Sequence, residues 1–256
     1  MSINSGLQKM DEQSENKDPD LDVEQRRQEI TSNLTDVRKR IEAMTQEKRE
    51  VRLVAVSKQK PISDILIAYE DGQRHFGENY VQELVEKSKA LPSDIKWHFI
   101  GTLQSNKCKI LAAIPNLWAV ETIDGIQKAD VMNKACASRE FPLRVFLQVN
   151  TSGEETKGGV DPGECLAALN HIQDNCEKLQ LAGIMTIGAH RESTEELNPD
   201  FINLMNLQKQ FKESRGMELE VSMGMSDDFE EAIKLGSTNV RVGTTIFGRR
   251  PLKHKH

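Results

Sequence analysis

VRLVAVSKQKP, residues 51–61, reads as a buried strand that runs into a lysine. Leu53, Val54, Ala55 and Val56 form a short, continuous apolar run, the pattern of a parallel strand covered on both faces. Ser57 and Lys58 end the run, Lys60 reads as a solvent-facing charge, and Pro61 sits where a following helix would start. An ammonium group at the end of a buried strand needs a reason. That reason depends on what the rest of the chain builds around it.

The same unit recurs along the sequence. After Leu53–Ser57, short apolar runs suited to strands fall at Arg74–Phe76, Trp97–Ile100, Leu117–Val120, Leu143–Val149, Leu181–Thr186, Leu219–Ser222 and Val240–Val242. Amphipathic segments lie between them, among them Ile62–Tyr69, Val81–Lys89, Ile126–Ser138, Cys165–Cys176 and Phe201–Ser214. Strands and helical segments alternating about every thirty residues predict a single (β/α)8 TIM-type barrel, an α/β fold. An open doubly wound sheet is the competing layout, but no G-x-G-x-x-G follows the first strand. Ahead of that strand, Ile30, Leu34, Val37, Ile41 and Met44 share one helical stripe between Val23 and Arg49, which predicts an extra N-terminal helix. Residues 1–21 are acidic and polar and are expected to form a disordered tail, with 22–256 as the barrel domain.

Charge and composition exclude several classes of function. The net charge is −6, and residues 1–30, with eight acids against four basic residues, supply −4 of it. The remainder is nearly neutral and lacks the clustered basic excess of a nucleic-acid-binding surface. Cys108, Cys136, Cys165 and Cys176 are widely spaced with no C-x-x-C pair, so they read as buried free thiols rather than a zinc or redox motif. No metal site is expected, and His98 reads as a hydrogen-bonded core or pocket-wall residue. No apolar run reaches the length of about 18 residues needed to span a membrane, and the N-terminus lacks a signal-peptide layout. A reducing, cytoplasmic location is expected.

In a (β/α)8 barrel, function sits where strands end and the following loops begin. Those junctions are small, polar and glycine-rich here: Ser57-Lys58, Gly77-Glu78-Asn79, Gly101-Thr102, Glu121-Thr122, Asn150-Thr151-Ser152-Gly153, Gly188, Ser222-Met223-Gly224-Met225-Ser226 and Gly243-Thr244. The last two are adjacent by strand order. Gly224, Ser226, Gly243 and Thr244 offer backbone N–H groups and hydroxyls suited to a phosphate, although Ser226 also suits a simple helix cap. Lys58, at the end of strand one, would stand beside this cradle. Partial burial disfavours its charged form and favours a free amine able to attack an aldehyde. A lysine imine beside a phosphate cradle is what pyridoxal 5′-phosphate requires. Arg241, between Val240 and Val242, needs as a partner either a carboxylate or the ring nitrogen of a cofactor.

The blocks AVSKQKP (55–61), FGENYVQE (76–83), WHFIGTLQSNK (97–107), VNTSGEETKGG (149–159), GIMTIG (183–188), SMGMSDDFEEAI (222–233) and GSTNVRVGTTIFG (236–248) resemble, in collinear order, the YggS/PROSC family of pyridoxal phosphate homeostasis proteins. The resemblance implies the barrel of the alanine racemase N-terminal domain. It also implies a pyridoxal phosphate imine on Lys58, phosphate contacts from Ser222, Gly224, Ser226, Gly243 and Thr244, and Arg241 facing the pyridine nitrogen. Asn79 is a further cofactor-side candidate.

Alanine racemases add a C-terminal domain that supplies a tyrosine, for which this sequence leaves no room. Only Tyr69 and Tyr80 are present, and Tyr80 alone lies near a strand end. A holder of pyridoxal phosphate is therefore expected, one that passes the cofactor to enzymes that need it, acts as a monomer and has no catalytic residue of its own. Competing readings are an amino-acid racemase or decarboxylase, and a Schiff-base aldolase.

Overall fold

The structure is a computed structural model that describes residues 19–45, 49–154, 156–189 and 197–249. Most of the expected N-terminal tail and the KHKH end lie outside these residues. The first helix, α1 (Pro19–Met44), starts earlier than the expected tail boundary, and Asp22 and Glu24 suit its first turns. It stops at Met44 rather than Arg49, where Thr45 turns its hydroxyl back onto the Ile41 carbonyl at 2.6 Å.

Then strand and helix alternate. In order come β1 (Arg52–Val56), α2 (Ile62–Glu70), β2 (His75–Glu78), α3 (Val81–Ala90), β3 (Lys96–Phe99), α4 (Cys108–Ala112), β4 (Leu117–Ile123), α5 (Ile126–Ala135) and β5 (Leu143–Gln148). There follow α6 (Cys165–Asn175), β6 (Leu179–Met185), α7 (Pro199–Arg215), β7 (Glu220–Ser222), α8 (Phe229–Leu235), β8 (Asn239–Val242) and a short α9 (Thr244–Phe247). All eight strands are parallel and close into one barrel, β8 pairing with β1 through Val54↔Arg241 and Ala55↔Val242. The strand runs are those expected from the sequence, with no end shifted by more than three residues. The shortest expected strand, at Arg74–Phe76, lies instead at His75–Glu78, so Glu78 belongs to the strand rather than to the loop.

The main core fills the space between barrel and helices, where Trp97, Phe76, Phe201, Phe211 and Phe229 are fully buried. Ile30, Leu34 and Val37 of α1 join it, so the extra helix is an integral wall rather than an appendage. Two bonds tie α1 to α9: Asn33 Nδ2 donates to the Ile246 carbonyl and Arg26 Nη2 to the Phe247 carbonyl. Lys60 reaches the same Phe247 carbonyl at 2.7 Å, so it is a tether across the barrel seam and not the free surface charge expected. All four cysteines are buried free thiols.

The barrel interior is polar in its lower half. The guanidinium groups of Arg52 and Arg144 both lie over the Trp118 ring and converge on Glu220, plugging the N-terminal end. Above the plug, His75 meets the Trp118 ring edge-on and His98 lies against it at a tilt.

Candidate functional site

At the C-terminal end of the strands is a cavity of about 300 Å³ lined by Lys58, Asn79, Ser226, Arg241, Gly243 and Thr244. Six of the eight residues singled out in the sequence therefore face one space. Apolar walls come from Ile100, Met185 and Ile187. Barrel closure brings the ends of β1 and β8 together, which puts Lys58 and Gly243 just beyond the ends of neighbouring strands.

One end of the cavity is a set of hydrogen-bond donors. The N–H groups of Gly243 and Thr245 both point at Ser226 Oγ, at 3.3 and 3.4 Å. These long contacts mark a position where a stronger acceptor, such as a phosphate oxygen, would be held better than a hydroxyl. Ser226 does not cap the next helix: α8 starts at Phe229 with Asp228 at its N-cap. Asp228 instead accepts the Met225 N–H at 2.6 Å, which fixes the loop carrying Ser226. Gly224 lies behind the cradle rather than in the cavity lining. Its φ of +95° and the approach of Ala232, 2.6 Å from where a Cβ would stand, leave room only for glycine.

The floor is Arg241, 4% exposed. Its Nη1 donates to Ser222 Oγ at 2.6 Å and its Nη2 to the Thr186 carbonyl at 2.9 Å. Ser222 was expected on the phosphate. It is fully buried inside the barrel instead, because side chains alternate along β7, and its hydroxyl donates to Glu121 Oε2 at 2.5 Å. Asn239 Nδ2 bridges Ser222 and both oxygens of Glu121. Glu121 is thus the carboxylate that an inward arginine demanded, reached through a serine.

From Glu121 the chain of bonds continues downward, Nδ1 of His98 at 2.5 Å and then Nδ1 of His75 to Nε2 of His98 at 2.8 Å. Burial, then the neighbouring His98 and Arg52, hold the His75 imidazole down at about 2, and burial, with a smaller push from Arg52, holds His98 below the ordinary histidine range against the opposing pull of Glu121. Burial also pushes the Glu121 carboxyl up, but hydrogen bonds from His98 and Ser222 and the charge of Arg241 outweigh it and leave it below the usual range. Two neutral imidazoles, each donating from Nδ1, therefore run into one carboxylate that balances one guanidinium. Burial pulls Arg241 down and Glu121 and Asp228 pull it up.

Asn79 projects from the end of β2, and its Oδ1 is buried without a hydrogen-bond partner. Such an atom is costly unless a ligand supplies the missing donor. Gly101 fixes this loop, since a Cβ there would lie 1.9 Å from the Asn79 carbonyl oxygen.

Beneath Lys58 is a cluster that sequence reasoning missed. Lys87, from α3, is 5% exposed and donates to the Ser57 carbonyl (2.8 Å), Glu78 Oε1 (2.7 Å) and Glu83 Oε1 (2.6 Å). Ser57 Oγ also donates to Glu78 Oε1 at 2.6 Å, and the Gln59 N–H donates to Glu83 Oε1 at 2.6 Å. Gln59 has φ +60°, the left-handed region that costs a non-glycine residue about 1 kcal/mol. In sequence, Glu83 and Lys87 look like a solvent-exposed i,i+4 pair, and nothing in that spacing marks the ammonium as buried.

Other sequence candidates lie elsewhere. Tyr80 is exposed at the N-cap of α3 and faces a neighbouring cavity with Gln82 and Lys107, while Tyr69 donates to Asp94 on the outer surface. Lys157, expected to be solvated, bridges Glu154 and the Gly188 carbonyl over the β5 and β6 loops.

An amine, a phosphate-sized donor set, a buried guanidinium, an unpaired amide oxygen and apolar walls suit a planar, phosphorylated aromatic aldehyde, so the residues present fit pyridoxal phosphate. Known proteins point the same way. The family model described as "Alanine racemase, N-terminal domain" matches residues 27–251. A pyridoxal phosphate homeostasis protein of Schizosaccharomyces pombe is 50% identical over 204 residues, 79% of this chain and 86% of that protein. PipY of Synechococcus elongatus PCC7942, solved with PLP bound, is 31% identical with a TM-score of 0.73, covering 86% of this chain and all (100%) of its own. An alanine racemase from Clostridium difficile 630 shares the fold at 15% identity and a TM-score of 0.70, over 88% of this chain and 61% of the racemase.

Proposed function

The chain belongs to the pyridoxal phosphate homeostasis proteins, within the family of the alanine racemase N-terminal domain, and from that premise we propose that it is a holder of pyridoxal 5′-phosphate attached through Lys58. When bound, the cofactor supplies an aldehyde that condenses with a primary amine, one water leaving as the C=N bond forms. The protein's own residues do the rest. Ser226, Gly243, Thr244 and the Thr245 N–H hold the phosphate, and Asn79 gives the cofactor a side-chain acceptor. Gly224 and Ser222 act from behind, the one by shaping the cradle loop and the other by aiming Arg241.

The observation that carries this reading is the convergence of Lys58, Arg241 and the donor cradle on a single cavity. Arg241 bears on the role as well as on the fit. A guanidinium donates and does not give up its proton, so it holds a ring nitrogen as an unprotonated acceptor and leaves the ring a poor electron sink. Neither tyrosine lines this cavity, so no tyrosine of the chain is placed to serve as a second acid or base there. A role in keeping and delivering the cofactor to recipient enzymes follows better than turnover of an amino acid. A monomer in the cytoplasm suits such a carrier and the four buried free thiols. Among the described residues, no helix is long and apolar enough to cross a membrane.

The racemase alternative predicts exchange of an amino-acid α-proton with solvent. Loaded protein incubated with each amino acid in deuterated water is expected to leave every α-proton in place, while transferring cofactor to an apo-enzyme that needs it. Deuterium incorporation lost in Lys58→Ala would reverse the assignment from carrier to enzyme.

A further inference from the structure

The residues around Lys58 form a tight turn. The Lys60 N–H bonds the Ser57 carbonyl at 3.0 Å, which puts Lys58 second and Gln59 third in a four-residue turn. The third position has φ +60°, where glycine or asparagine is the usual occupant and glutamine is not. A turn of this kind in a chain lacking the favoured residue needs support from outside it. The support here is the single cluster on α3 and β2, which grips both sides of Lys58. Lys87 Nζ holds the Ser57 carbonyl, Glu78 holds the Ser57 hydroxyl, and Glu83 holds the Gln59 N–H.

Lys87 is the hub, since its three hydrogen bonds reach Ser57, Glu78 and Glu83. It is also the ammonium between two carboxylates, 6% exposed in its side chain against 0% for Glu78 and 21% for Glu83. Removing it would leave Glu78 and Glu83 without the ammonium they share, and the turn would lose its grip on Ser57 directly and on Gln59 through Glu83.

We propose that Lys87 is a positioning residue for Lys58: buried between Glu78, Glu83 and the Ser57 carbonyl, it holds the 57–60 turn in the conformation that presents the Lys58 amine to the cavity. This rests on the reading that Lys58 carries the cofactor. A lysine that merely pins α3 to the barrel would affect stability but not the reaction of a different lysine.

The test follows the full-length chain, freed of cofactor, as pyridoxal phosphate is added and trapped with borohydride at successive times, with amide hydrogen exchange measured in parallel on the cofactor-free protein. In Lys87→Met, the rate of trapping on Lys58 is expected to fall about tenfold, in line with the cost of a small misplacement of a reacting group. The Gln59 and Lys60 amides exchange faster, and β5 stays as protected as in the wild type. Lys87→Arg restores most of the rate. Adding Gln59→Gly to Lys87→Met recovers part of it, because glycine takes the positive φ unaided. Glu83→Gln, less buried than Lys87 and so easier to fold, shows a smaller slowing with the same faster exchange at Gln59. Wild-type trapping rates and wild-type exchange at 57–60 in folded Lys87→Met and in Glu83→Gln would overturn the positioning role. Failure of the wild type to trap anything on Lys58 would instead overturn the cofactor reading beneath it.

Discussion

Glu78 shows what burial does to a single residue at this site. Its carboxyl is fully buried, shares Lys87 with Glu83 and leaves Oε2 without a partner. Burial pushes its pKa up to about 7, against the opposing pull of Lys87 and Ser57. The folded value lies above the unfolded one, so between roughly pH 4.5 and 7 the folded state binds more protons. Stability therefore falls as pH rises through that window, by on the order of 3 kcal/mol, and levels off above it. Urea unfolding at about pH 5 and about pH 8 should show this loss in the wild type and little of it in Glu78→Gln. Equal slopes in the two proteins would mean that Glu78 ionises in the fold as it does in water. Residues such as Lys58, Asn79, Arg241 and Gly243 were legible in the sequence because polar or glycine residues at the ends of apolar runs stand out. Glu78, Glu83 and Lys87 as a unit were not, since a helix-spaced Glu–Lys pair has the same letters whether exposed or buried. Ser222 was assigned to the phosphate from its motif, and only the alternation of β7 shows that it points inward beneath Arg241.

Among the elements, α1 and α9 have the closest bearing on the site. The proposed phosphate cradle opens α9, a helix of four residues that could not stand alone. It is held by Asn33 and Arg26 of α1 and by Lys60 from the turn after β1. The sequence stripe Ile30, Leu34, Val37, Ile41 marked α1 as amphipathic but did not say what it would cover. It packs against α2, α8 and α9, the helices that flank the place where β8 meets β1. Leu34→Ala, at a fully buried position, is expected to cost about 3 kcal/mol in urea unfolding and to weaken pyridoxal phosphate binding through α9. A loss near zero would mean that α1 packs less tightly than its burial implies. The order and number of strands were readable because parallel strands buried on both faces leave continuous apolar runs. Their inner faces were not, because His75, Glu121 and Asn239 interrupt those runs only singly.

At the scale of the whole molecule, the barrel encloses one continuous polar column. It starts at the Arg52–Glu220–Arg144 plug, passes Trp118, His75, His98 and Glu121, and ends at Arg241 in the cavity. With the histidines neutral, the column above the plug carries one negative and one positive charge, which fixes Arg241 as a charged donor at the cavity floor. Lys58 lines the same cavity from the other side of the β1–β8 seam, on the turn that we propose the α3 cluster sets. The strand that seemed to end on a misplaced charge therefore ends on the group the rest of the fold arranges. The most direct measurement is borohydride reduction of the protein loaded with pyridoxal phosphate, followed by peptide mass analysis. The mass increase is predicted on Lys58 alone, and an increase on Lys60 or Lys157 in its place, or on no lysine, would contradict the account.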